Sequence, residues 1–125
     1  MENNESTIEI ERVDGKLISA KLVIPVWTRK DEDDGLLYAS IPMLNLETYG
    51  IDEDDLEIAI QETVEGFILV SEKFGEGIES ELADLEWEKQ IVKEPTHIYF
   101  DFKTEKPVYK NMINTGNSKL LSYHI

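Results

Sequence analysis

The most reactive groups in this 125-residue chain are its carboxylates, and eight of them fall in two runs of four, Asp31-Glu32-Asp33-Asp34 and Asp52-Glu53-Asp54-Asp55. Hard divalent cations take such oxygen ligands, so each run must be weighed as a metal site. Neither has the ligand spacing of an EF-hand loop, and consecutive residues on a strand or helix point in different directions. The first run reads as a solvated turn and the second as a helix cap. A nuclease-type metal site would need acids projecting together from separate strands, yet the strand segments offer mainly Leu, Ile, Tyr and Ser. His97 and His124 fall on predicted strands near aromatic neighbours and read as structural. Ser40, Ser71 and Ser122 lack the Gly-x-Ser-x-Gly context of a nucleophile elbow. Gly75-Glu76-Gly77 is acidic and follows a helix, whereas a phosphate-cradling loop precedes one. The residues therefore point to no catalytic, cofactor-binding or metal site, and to a protein that is not an enzyme. Trp27, Trp87, Tyr38 and Tyr99 read equally as interface anchors or as core.

The elements that would position these groups follow from periodicity. Thr7 to Glu11 alternates apolar and polar, Asp14-Gly15 signals a tight hairpin, and Lys16 to Trp27 returns as a long strand. Pro25, which has no N–H for a ladder, predicts an edge position or a bend there. Asp34-Gly35 is a turn, Leu36 to Ile41 the next strand, and Leu46 to Tyr49 a short further one. A long helix then starts within Asp52 to Asp55, with acids suited to its N-terminal dipole. Leu56, Ala59, Ile60, Val64, Phe67 and Phe74 make its apolar stripe, Ile68 and Leu69 broaden it, and Phe74-Gly75 closes it. Glu79 to Lys89 predicts a second, short helix holding Leu82, Leu85 and Trp87, broken by Glu94-Pro95. Thr96 to Phe102, Val108 to Ile113 and Lys119 to Ile125 read as strands, with a turn at Thr104 to Pro107.

The expected fold is α+β: an antiparallel sheet of about five or more strands on one long helix, in a single domain over 1–125. Residues 1–5 read as a loose start and 96–125 as a β extension. A chain of this length buries roughly two-thirds of its unfolded surface, and 41% apolar with 9% aromatic residues can fill that interior. Cysteine is absent, which removes disulfides and thiolate sites and fits a reducing compartment. No apolar run approaches the ~20 residues of a membrane span, and Met1 to Glu5 lacks the basic and apolar regions of a signal peptide. The expected setting is the cytoplasm, away from any membrane.

Net charge is −15, from 27 acidic and 12 basic residues. A surface of that sign repels phosphates, so direct nucleic-acid binding is not expected, and a basic protein is the natural complement.

The segment Gly35-Leu36-Leu37-Tyr38-Ala39-Ser40-Ile41-Pro42-Met43-Leu44 resembles the HicB-like antitoxin family, which has a Tyr and a Pro-x-Leu at the end of the corresponding strand. Asp55-Leu56-Glu57-Ile58-Ala59-Ile60 is similar to that family's helix start, and Gly75-Glu76-Gly77-Ile78 to the Gly-Glu-Pro-Ile that commonly follows the helix. The likeness covers about residues 21–79. It implies a partial RNase H-like core, antiparallel sheet plus long helix, and a non-catalytic antitoxin that caps a small basic ribonuclease toxin. Where the family usually has Pro-Gly-Cys this chain has Asn45-Leu46-Glu47, and no basic recognition helix replaces the DNA-binding tail that family members commonly append. The alternative is a structural or small-ligand-binding domain on the same scaffold, in the form of a homodimer joined through the exposed edge of the N-terminal hairpin.

Overall fold

The computed structural model describes residues 6–90, 96–102 and 118–125. Its first two strands, β1 (Ser6–Val13) and β2 (Lys16–Lys30), form the expected hairpin. Asp14 and Gly15 both take positive φ, 53° and 81°, the backbone of a tight turn whose twist matches the strands it joins. β3 (Leu37–Ile41) leads through a single turn of 3-10 helix, Pro42–Leu44, into β4 (Leu46–Gly50). Then come α1 (Glu53–Phe74), α2 (Ile78–Asp84), and the strands β5 (Glu88–Lys89), β6 (His97–Phe102) and β7 (Ser118–His124).

All pairings are antiparallel, and the seven described strands form one sheet in the order β4, β3, β2, β1, β6, β5, with β7 paired to β2. β2 is the hinge of this arrangement. It pairs with β1 as far as Val23 and with β3 from Trp27 onward, and Pro25 lies between the two registers, opposite Leu120 of β7. The missing donor thus falls where the ladder changes partner, which accommodates a proline inside a 15-residue strand. The strand also runs beyond Trp27 to Lys30, because Trp27 to Lys30 pair with Ser40 to Leu37.

The expected β extension is woven into the sheet: β6 pairs with β1 along its length and β7 with β2. This removes the motive for a homodimer through the N-terminal hairpin, since β1 is flanked by β2 and β6. Residues 1–5, 91–95 and 103–117, with the expected strand Val108 to Ile113, the turn Thr104 to Pro107 and the Glu94-Pro95 break, lie outside the described residues.

α1 lies against β3 and β4. Leu56, Ile60, Val64 and Ile68, one every fourth residue, join Ile8, Ile10, Leu22 and Ile24 of the sheet in one buried cluster. Phe74 departs from the expected stripe: it is 78% exposed at the helix end. Ile68 and Leu69 divide, Ile68 turning into the core and Leu69 into solvent, because neighbours in a helix are ~100° apart. The second helix is shorter than its pattern. It stops at Asp84, Glu86 takes a positive φ of 71°, and Trp87 turns inward as the chain enters β5.

Candidate functional site

The two carboxylate runs are absorbed by local structure. In the first, Asp31 accepts the N–H groups of Asp33 at 2.8 Å and Asp34 at 3.4 Å, while Asp34 accepts the N–H of Leu36 and the hydroxyl of Tyr38, each at 2.8 Å. These bonds, the backbone bond to Leu36 first, hold the Asp34 carboxyl below its ordinary range. In the second run, Asp52 caps α1 by accepting the N–H of Asp55 at 2.8 Å, and Asp55 reaches back to the N–H of Ile51 at 2.9 Å. Among the described residues no group of three or more His, Asp or Glu is placed to hold a metal ion.

The histidines and serines are dispersed. His97, half-buried on β6, bonds Thr96 through Nδ1 at 3.0 Å and sets Nε2 3.7 Å from Glu9 of β1. His124 is exposed at the end of β7. Ser71 donates its hydroxyl to the Phe67 carbonyl at 2.6 Å inside α1. Ser40 and Ser122 line two separate depressions.

One depression is an open groove of about 550 Å³ between α1 and β7, lined by Asp54, Glu57, Ile58 and Gln61 on one side and Ser122, Tyr123 and His124 on the other. Burial, with the nearby charge of Glu57, pushes the Tyr123 hydroxyl up to about 12. The other is a pocket of about 320 Å³ on the outer face of β2, β3 and β4, with Trp27, Arg29, Tyr38, Ser40 and Glu47 in its walls. There the Arg29 guanidinium lies 4.6 Å from the Tyr38 ring, whose centroid is 5.9 Å from that of Tyr49.

The aromatic residues divide in the same way. Trp87 is core, 4% exposed, with its ring edge-on to Phe102. Tyr49 and Tyr99 stay at the surface.

Sequence reasoning missed a charged cluster. Arg12 of β1 bonds Glu72 of α1 through Nη1 at 3.0 Å and Nη2 at 2.5 Å, and Glu79 of α2 through Nε and Nη2, both at 2.6 Å. Glu72 also accepts the N–H of Ile78 at 2.8 Å, which anchors the start of α2. Arg12 holds both carboxyls below their ordinary range, and they raise its own pKa in turn. The acids lie 60 and 67 residues from Arg12, beyond any local spacing signal. The available signal was scarcity, for Arg12 and Arg29 are the chain's two arginines.

With Arg12 tied into its clamp and Arg29 on the opposite, sheet side over Tyr38, the exposed acids dominate the helical side of the molecule: Glu53, Asp54, Glu57 and Glu62 along α1, Glu76 and Asp84 around α2. The described helices include none long and apolar enough to cross a membrane. Comparisons with family models, with curated protein sequences and with solved structures returned no match. The fold and site together define an α+β domain whose helical side is acidic.

Proposed function

We propose that the chain is a non-catalytic, antitoxin-like protein-binding module that caps a small basic toxin in the cytoplasm and keeps it from its RNA substrate. The observation that carries this reading is the placement of charge. Carboxylates are left at the surface along α1 and α2, while Arg12 is drawn into its clamp and the exposed Arg29 lies away from the helices, over Tyr38. Such a surface attracts a basic protein and speeds its association. Further support comes from the order of elements, a hairpin, a strand, the Pro42-Met43-Leu44 turn and a long helix closed before Gly75-Glu76-Gly77-Ile78, which parallels the HicB-like core that the sequence resembles.

The test is a pull-down from the native host with a tagged copy, read by mass spectrometry at low and moderate salt. Stoichiometric recovery of a small basic protein that arrests growth when expressed alone, and its loss as salt rises, is the expected result. Recovery of the bait alone overturns the reading. A second reading, a small-ligand-binding domain, is favoured by the pocket walled by Trp27, Arg29, Tyr38 and Glu47. Native mass spectrometry showing a retained small molecule would select it.

A further inference from the structure

The solvent side of α1 is more apolar than folding of this chain alone requires. Leu69, Val70 and Phe74 are 61%, 56% and 78% exposed, and they follow Gly66 at spacings of three, four and eight, which gathers them on one side of the helix. A Cβ at Gly66 would meet nothing within 4 Å. The glycine therefore makes no room for a neighbouring element of this chain, yet in mid-helix it weakens the helix relative to alanine. What a bare backbone provides on an exposed helix is close approach by another one, since interaxial distance is set by the side chains at the contact.

We propose that this face, Gly66 with Leu69, Val70 and Phe74, is the docking surface for the basic partner, and that the partner presents an amphipathic helix crossing at Gly66. Its apolar stripe covers the three exposed side chains, and its lysines or arginines reach Glu62 and Glu65, which lie one turn before Gly66 and Leu69. The proposal rests on the basic-partner reading above and adds to it the surface used and the form of the ligand. Charge selects this occupant over a second copy. Lys73 is the single basic residue of α1, so two such helices face to face would set carboxylate against carboxylate between chains of −15 each. A purely apolar partner would desolvate Glu62 and Glu65 with no counter-charge.

The probe is a synthetic peptide of leucines and lysines at amphipathic-helix spacing, with a scrambled peptide of the same composition as control. Both are titrated into the full 125-residue protein by calorimetry and by amide chemical-shift mapping. The expected result is binding of the helical peptide with shifts centred on residues 66–74, weakened about tenfold or more by Gly66→Leu and by Val70→Glu, while neither variant melts below the wild type. Equal binding of helical and scrambled peptides, or equal binding by the variants, overturns the proposal and leaves a diffuse charge attraction consistent with a basic partner elsewhere. No binding to the wild type also overturns it, and the partner reading is then decided separately by the pull-down. A dimer in light scattering that reverts to monomer in Val70→Glu overturns it by assigning the face to a second copy.

Discussion

The indole N–H of Trp87 donates a 2.9 Å hydrogen bond to the backbone carbonyl of Met43, 44 residues earlier in the chain. Both residues are buried, so the bond closes the 3-10 turn after β3 against the exit from α2. Trp87→Phe keeps most of the packing but leaves that carbonyl without its donor. It is expected to cost about 1–3 kcal/mol, read as a lower urea midpoint at unchanged slope. An unchanged midpoint would mean that water replaces the indole.

Replacing Arg12 by Lys removes a planar fork that grips two carboxylates at once, which an ammonium cannot reproduce. Because Arg12, Glu72 and Glu79 are only partly buried, the expected loss is about 1–3 kcal/mol, and equilibrium denaturation of the variant measures it.

The same cluster sets an acid limit. The folded-state pKa values of Glu72 and Glu79 are lowered from 4.5, so the stability they contribute is present above that value and is lost as pH falls through the folded-state values. Melting temperature should fall steeply below about pH 4.5. Glu79→Gln should flatten that fall, and an unaltered profile would place the acid sensitivity elsewhere.

Two glycines should respond in opposite directions. A Cβ at Gly50 would lie 2.5 Å from the Leu56 nitrogen and 2.7 Å from its Cα, backbone that cannot move aside, because β4 passes directly under the first turn of α1. Gly50→Ala should therefore destabilise by about 1–3 kcal/mol or more. Gly66→Ala, into open space, should stabilise by about 0.5–1 kcal/mol. Thermal melts of the two variants decide both signs.

Tyr123 should ionise late. Its folded-state pKa is raised from 10.0 to about 12, so the proton it keeps favours the fold below the unfolded value, and that contribution disappears as pH rises through about 12. The difference in phenolate absorbance between wild type and Tyr123→Phe isolates its titration from those of the other tyrosines. A midpoint near the ordinary tyrosine value would show the β7 end of the groove to be wet.

What the sequence made legible is local. Alternation around Asp14-Gly15 marks the first hairpin, and acids before a repeat of three and four mark α1 and its cap at Asp52. Hydropathy records how apolar a residue is and not where it points, so Phe74 looks like stripe although the helix ends with it facing water. Trp87 continues a helical spacing, but its bond to Met43 draws the chain out of the helix at Asp84. Which strands flank β1 and β2 is decided by pairings of residues about 90 to 100 positions apart, such as Ile8 with Phe100 and Leu22 with Tyr123. The Arg12 clamp is invisible for the same reason. No short window contains both partners.

Those distant pairings also impose a timetable. β1 and β2 are made well before their partners β6 and β7, with Leu22 waiting for Tyr123 and Ile8 for Phe100. Non-local closure of this kind slows folding and leaves unpaired apolar strands open to other chains during synthesis. Completion of the sheet therefore waits on β7, and a chain truncated before Ser118 would leave Lys21 to Trp27 of β2 without their partners on that edge.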